Sequence, residues 1–598
     1  MTEKGSYTPH SFVPTTLKPQ VMGRRGVVAA GHPLVVEAGM RMLQQGGNAV
    51  DAGVATVFAA GVVEQASCGL GGEVPILIKL KGKPVVAING TGVAPELATA
   101  SFYLNLPSND PRRGPFPVMI QGRNGIIPAY GPLSAIVPGM IDGLLLALEE
   151  FGTMSFSEVI EPALELAQGF PADQRLAGTL NQHEPTFSKW RTSERVYKPK
   201  GKAVEQGRVW SQPELAKTLQ AMADAEKKAK RRKRAAAIDA VRDYFYRGPI
   251  AKKIGKYCEE VGCLLRERDI NSFCAQVERP LTTTYRGADV YKVSYWSQGP
   301  VFLQNLNLLE AFDLRGMGHN SPQYVHTVVE AMKLGYADRD AYYGDPDVSK
   351  IPAQLISKEY ANLRRGLMNA KQASPDHRVG DPERMKAAAP AEFAKARLRD
   401  RNAQHQDTTC VNVMDQDGNM FSATPSGAWI PAMMAADTGI PLTQRAQAFV
   451  LTPGHPNQIG PRKRPRITLT PTLALKNGKP WLAFSTPGGD SQDQTLLQVF
   501  LNVMEFGMQP QEAVEAPRFN SVAMYSSFDD HGDNPLGLQM ESRFPESTLE
   551  GLRALGHKLI MQGDWQNPSS PTMIEYDAQN GVIKAGADVR GHRWAAGW

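Results

Sequence analysis

The residues with most chemical potential in this 598-residue chain lie in its last third, in Gln406-Asp407-Thr408-Thr409-Cys410-Val411-Asn412-Val413-Met414. Two threonines open what reads as a short strand. An acidic turn, Asp415-Gln416-Asp417-Gly418-Asn419, follows, and Met420-Phe421-Ser422-Ala423-Thr424 reads as the returning strand. A threonine hydroxyl is a poor nucleophile at neutral pH, but attacks acyl groups when a base stands beside it. Further on, Gly488-Gly489 ends an apolar strand, and two successive glycine N–H groups can converge on an oxyanion. Each feature has a plain alternative: threonine favours strands, and glycine ends them for steric reasons.

Other chemistries find less support. Asp415-x-Asp417-Gly418-Asn419 lacks the third acidic ligand and the closing glutamate of a calcium loop, so a tight hairpin turn explains it. There is no HExxH pair for zinc and no Gly-x-Ser-x-Gly elbow for a serine triad. Gly69-Leu70-Gly71-Gly72 precedes a strand, whereas phosphate loops run from strand to helix. Cys258 and Cys263 lack partners at zinc spacing, and five cysteines read as free thiols of a reduced compartment. We therefore expect no metal and no cofactor. The net charge of +6 is small for this length and does not itself imply nucleic acid. The run Glu226 to Arg234 carries no interleaved aromatics for base stacking and reads as a solvated helical insert. The N-terminus shows neither a signal peptide nor a membrane span, so the expectation is a cytoplasmic protein.

The elements around these residues are those of an α/β protein. Gly26 to Ala30 reads as a strand and Pro33 to Leu43 as a helix stopped by Gly46-Gly47. Asn48 caps a second helix, Ala49 to Val63, whose Ala and Val content predicts burial on most faces. Ile76 to Leu80 and Pro84 to Asn89 form a hairpin. Residues 134–170 are helical, 175–215 are weakly patterned, and Gln323 to Asp340 is a long helix. Residues 365–400 read as a surface helix or linker. Ile467 to Thr470, Thr472 to Leu475 and Trp481 to Ser485 read as strands, the last two joined by Asn477-Gly478. Leu496 to Phe506 is the helix that follows.

Taken in order, the motifs resemble the γ-glutamyltransferase family of N-terminal-nucleophile hydrolases. They include Gly46-Gly47-Asn48-Ala49-Val50-Asp51-Ala52, Gly69-x-Gly71-Gly72, Ala337-Asp338-Arg339, Thr408-Thr409, Gly460-Pro461-x-Lys463-Arg464-Pro465, Pro487-Gly488-Gly489 and Ala516-Pro517-Arg518-Phe519. The resemblance implies an αββα sandwich, made as an inactive zymogen and cut autocatalytically between Asp407 and Thr408. The large (1–407) and small (408–598) fragments would stay associated as one composite domain. Thr408 would be the nucleophile, and its freed amine, with a pKa of roughly 7.7–8.0, a matched base. Ser426 would orient it, Gly488 and Gly489 would bind the oxyanion, and Thr409 and Thr424 would support the site from behind.

The departures bear on substrate. Where the family carries an arginine for the γ-glutamyl carboxylate, this chain has Thr91. An asparagine is replaced by Ala428, a glutamine and an aspartate by Arg445 and Ala448, and a serine pair by Ile467-Thr468. Groups that pair with an amino-acid zwitterion are mostly gone. Gly488 to Gln494 and Thr424 to Gly427 resemble instead the branch represented by oxamate amidohydrolase. The leading expectation is therefore an amidohydrolase acting on a small amide such as oxamate, with Arg445, Thr468 and Thr91 in the substrate pocket. Arg445 is read as a carboxylate clamp or as a surface residue. The alternatives are a γ-glutamyltransferase or glutathione hydrolase, and an unprocessed binding protein. The oligomeric state stays open.

Overall fold

A computed structural model describes residues 15–107, 109–113, 127–229, 233–388, 408–528 and 534–598. Two seven-stranded sheets are stacked face to face. In spatial order the first runs Trp594–Gly597, Gly26–Ala30, Val411–Asp415, Met420–Ala423, Val74–Lys79, Val85–Gly90 and Gln276–Glu278. The second runs Val21–Gly23, Val582–Ala587, Thr572–Asp577, Lys479–Ser485, Thr472–Lys476, Ala288–Lys292 and Leu281–Tyr285. Every ladder in both is antiparallel.

Strand periodicity builds the layers. Alternate side chains leave opposite faces of a strand, and here both faces are buried. Val28, Ala30, Val411, Val413, Ile76 and Ile78 point outward into a core with the helices Pro33–Gln44 and Ala49–Val63. Val27, Ala29, Met414 and Leu77 point inward, against Leu473, Leu475, Ala483 and Ile574 of the second sheet. Ala474, Leu482 and Phe484 point out the far side, toward the helices Pro300–Leu309, Pro322–Tyr342 and Gln492–Met504. The result is the expected αββα sandwich. All of Ala49–Val63 is buried, as its composition demands. Its Asn48 cap is a reciprocal capping box with Asp51.

Several expectations are refined. The weakly patterned stretch 175–215 is largely helical: Gln174–Phe187, Arg191–Tyr197 and the start of Pro213–Lys228. Its inward apolar residues are too sparse for a periodic signal. Residues 134–170 hold two helices, Met140–Phe151 and Phe156–Gln168, separated at the Ser155 capping box. Ile467 to Thr470 is not a ladder strand; Ile467 forms one isolated bridge to Ser297 and the rest is irregular. Of the stretch 365–400, expected as a surface helix or linker, only Arg365 is helical among the described residues, as the last residue of Lys358–Arg365, and 366–388 are irregular. The buried Arg364 donates to the carbonyls of Arg378 and Ala387, tying down the irregular chain that follows. Residues 389–407, with Asp407, lie outside the described residues.

The basic insert begins as the end of Pro213–Lys228. Arg234 turns inward, donating to the Leu148, Glu149 and Met154 carbonyls at the end of Met140–Phe151, a cation placed on a helix C-terminus. In another basic stretch, Arg462-Lys463-Arg464-Pro465-Arg466, Arg464 pairs with Asp347, and the buried Arg466 donates to the Ser527 hydroxyl. Part of both patches therefore serves internal contacts rather than an open cationic face.

Candidate active site

The hairpin chemistry expected of Asp415 to Asn419 is what sets the site. Asp415 Oδ1 accepts the Asp417 and Asn419 N–H groups at 3.0 Å, and Gly418 takes the positive φ the turn needs. Asp415 Oδ2 also accepts the Ala49 N–H at 2.9 Å, which docks the turn on a helix N-terminus. Among the described residues no acidic, histidine or cysteine cluster could hold a metal ion. With the turn fixed, pairing proceeds from Met414↔Met420 to Val411↔Ala423, and the same register carries on to a bridge between Thr408 and Ser426. Residues directly opposite in an antiparallel pair project from the same face. Thr408 Oγ and Ser426 Oγ lie 3.0 Å apart and buried.

Ser426 pairs on its other side with Glu73, whose N–H and C=O exchange bonds of 3.0 and 3.1 Å with it. This contact explains the glycine turn once set aside as a phosphate loop. A Cβ on Gly72 would sit 2.0 Å from the Ser426 carbonyl oxygen, and one on Gly71 would sit 1.8 Å from that of Pro441. Backbone must touch backbone here, so only glycine fits. The turn beyond Ser426 is itself left-handed, at Gly427 (φ 74°) and at Ala428 (φ 53°).

Arg445, in the short 3-10 turn Arg445–Ala448, is not a surface arginine: it is 1% exposed. Its Nη2 donates to Ser426 Oγ at 3.0 Å, while Nε and Nη2 engage the Glu73 carboxylate. Trp429 and Phe528 lie with ring centroids 5.2 and 5.8 Å from the guanidinium. Among the described residues none accepts from Nη1. Glu73 also accepts from Thr443 Oγ at 3.1 Å. Burial raises the Glu73 pKa, against the pull of Arg445 and Thr443. The sequence reading missed Glu73 and Thr443. Its one usable signal was a carboxylate between Gly-Gly and an apolar strand, where it must be buried and therefore needs a cation.

The other candidates fall at graded distances. Thr409 accepts from the buried Arg593 Nη1 at 2.9 Å, and its N–H donates to the Pro425 carbonyl. Arg593 also donates to the Ser570 carbonyl and hydroxyl, and lies 3.5 Å from Glu64. Thr424 is buried beneath, its N–H on the Pro75 carbonyl. Gly488 (φ 120°) and Gly489 (φ 56°) open the turn into Gln492–Met504, near the positive end of that helix. Neither of their N–H groups donates to a described residue. The Gly488 carbonyl accepts from Ser491 Oγ at 2.6 Å and that of Gly489 from Gln298 at 3.2 Å. In a trans peptide the N–H points opposite its C=O, so the Ser491 contact sets where the Gly489 N–H aims. Ser569 lies against Gly488, so the segment Ser569-Ser570 spans from the glycine turn to the Thr409 anchor. Thr468 is buried beside Gln492. Thr91 is buried between Asn89 and Gly139, with no hydrogen bond to Thr408, Ser426 or Arg445.

Two hydroxyls in contact, a guanidinium beside them, and two glycine N–H groups with no acceptor among the described residues are groups that acyl transfer can use. The Gamma-glutamyltranspeptidase family profile matches residues 36–598. The chain belongs to the γ-glutamyltranspeptidase family. It is similar to the glutathione hydrolase-like YwrD proenzyme of Bacillus subtilis, at 31% identity over 96% of this chain and 99% of that one. Among solved structures it resembles LmbA2991HD, with a TM-score of 0.89 and 34% identity over 98% of this chain and 100% of that one. It also resembles a cephalosporin acylase from Bacillus halodurans, with a TM-score of 0.81 and 26% identity over 99% of both chains. Like other γ-glutamyltranspeptidase family members, it is a hydrolase or acyltransferase on the N-terminal-nucleophile fold. No helix among the described residues is long and apolar enough to cross a membrane.

Proposed function

We propose that this family member cuts itself between Asp407 and Thr408 and then hydrolyses a small amide, with oxamate as the type substrate. Thr408 Oγ adds to the amide carbonyl and passes its proton to the freed Thr408 amine. The oxyanion rests on the Gly488 and Gly489 N–H groups. Collapse expels ammonia or an amine, which takes that proton, and water then cleaves the Thr408 ester by the same steps. Ser426 orients the nucleophile, and Thr409 and Thr424 brace it. Fragments 1–407 and 408–598 would stay together, because the first sheet interleaves strands from both.

The Thr408 to Ser426 to Arg445 contact row carries this reading. Arg445 Nη2 lies no more than about 6 Å from Thr408 Oγ, the two 3.0 Å contacts laid end to end. A carboxylate held at Arg445 would therefore stand on, or one or two carbons from, the reacting carbonyl. That favours a short acid amide over a γ-glutamyl group, whose carboxylate lies further away. Thr468 and Thr91 would shape the rest of the pocket without charge.

Denaturing electrophoresis and a substrate panel test it. The wild type should give two bands and Thr408→Ala one; a Thr408→Ala chain still split after residue 407 would refute the nucleophile. Ammonia release from oxamate should exceed turnover of a γ-glutamyl anilide. The reverse order would make this chain a glutathione hydrolase-type enzyme.

A further inference from the structure

Arg445 is bonded to Ser426 itself, not merely near the pocket, and this says more than a substrate clamp requires. Its Nη2 occupies a lone pair of Ser426 Oγ at 3.0 Å, and Ser426 Oγ lies 3.0 Å from Thr408 Oγ. Thr408, Ser426 and Glu73 form one cross-strand row, so Ser426 joins the nucleophile to an ion pair. The pair is a fixed dipole: its guanidinium end touches Ser426, and its Glu73 carboxylate is held on the far side by Thr443. Burial of all five residues removes the screening that water would provide.

We propose that Arg445 is a positioning residue for the nucleophile: its charge, acting through Ser426, stabilises negative charge on Thr408 Oγ, both in self-cleavage and in turnover. This rests on Thr408 being the nucleophile. When Thr408 Oγ gives up its proton, Ser426 O–H donates to it, while Arg445 N–H donates to Ser426 Oγ. Each donor in such a chain strengthens the next, and a charged donor is roughly twice as strong as a neutral one. No proton leaves Arg445 or Ser426. Glu73 makes the arrangement tolerable in the folded protein by keeping Arg445 from being a lone buried charge.

Self-cleavage is the decisive readout, because it involves no substrate for Arg445 to clamp. Arg445→Gln keeps a donor for Ser426 and removes the charge. It should slow both precursor cleavage and kcat on an uncharged amide by about tenfold, the kinetic equivalent of about 1.4 kcal/mol. Arg445→Lys, which retains the charge and the Glu73 pair, should recover most of that loss. In a Ser426→Ala background, Arg445→Gln should add little further loss, the non-additivity of residues acting in series. If Arg445→Gln matures at the wild-type rate and only raises KM for acidic amides, Arg445 is a clamp and the proposal is wrong. It is equally wrong if Lys and Gln are equally slow, or if the Gln effect is undiminished without Ser426. Should Arg445→Gln fail to fold, Arg445→Lys decides: near-wild-type maturation supports the proposal, and a loss as large as that of Ser426→Ala overturns it. Cleavage persisting in Thr408→Ala would instead identify the underlying reading as the failure.

Discussion

Replacing Gly72 by alanine tests whether close backbone contact, rather than turn flexibility, explains the Gly69 to Gly72 segment. Gly72 does not carry a positive φ, so alanine meets no conformational barrier there, and only space decides. The added Cβ would lie 2.0 Å from the Ser426 carbonyl oxygen, with the Gly427 carbonyl oxygen next at 2.9 Å. An ordinary contact needs more than about 3 Å, so Ser426 must retreat by roughly 1 Å. That displacement would stretch the 3.0 Å contact between Ser426 Oγ and Thr408 Oγ. A misplacement of about 1 Å in a reacting group costs on the order of 10²-fold in rate. Overpacking a filled interior costs about 1–3 kcal/mol of stability. The assay is the fraction of chain matured against time on a denaturing gel, then kcat of the matured protein, with a thermal melt to show folding. We expect a folded protein that melts lower and matures about a hundredfold more slowly. Maturation and turnover within twofold of wild type would refute the reasoning, because the Ser426 position would then be irrelevant to rate.

Three further outcomes are expected. Gly178, within helix Gln174–Phe187, has nothing within 4 Å of a built Cβ, so Gly178→Ala should raise stability by up to about 1 kcal/mol without changing maturation; a loss in urea denaturation would contradict this. Lys292 is fully buried and gives its Nζ to Thr470, Thr472 and Asp493, so Lys292→Met should destabilise by about 3–5 kcal/mol. Lys292→Met with Asp493→Leu should lose less, and an equal loss in the two would show that the orphaned charge is not the cause. His557 Nε2 lies in hydrogen-bond contact with His326 Nδ1 at 2.9 Å, the two rings edge to face, and burial, with His326 and Lys333 nearby, lowers the His557 pKa to about 4. The folded state therefore binds this proton later than the unfolded chain, and stability should fall as pH drops from about 6.5 toward 4. His557→Gln should flatten that part of the pH-stability curve, and an unchanged slope would clear His557 of the effect.

Local pattern carried much of the fold. Short apolar runs marked the buried strand Gly26–Ala30 and, offset from the expected Ile76 to Leu80, the strand Val74–Lys79; Asn48 marked the start of Ala49–Val63, and Asn477-Gly478 the hairpin turn, where both residues take positive φ. These signals are legible because each depends on residues within a few positions of one another. Where the inward face was thin, as over 175–215, or strand-like residues lacked a partner strand, as at Ile467 to Thr470, the same reasoning misjudged the element. Pairing is decided by the whole sheet, not by the segment.

The site divides along the same line. The sequence alone determined that Thr408 stands before a hairpin closed by Asp415 to Asn419, and the family resemblance named Ser426 as its partner; the structure supplied the register that sets the two opposite, which turn chemistry fixes over a short span. Only the tertiary structure decided that Glu73 completes that row, that Gly71 and Gly72 allow it to approach, and that Arg445 is buried between Glu73 and Ser426. Glu73 and Arg445 are 372 positions apart. Nothing within either segment specifies the other, because a buried ion pair is selected by the shape and low polarity of the packed interior that encloses it.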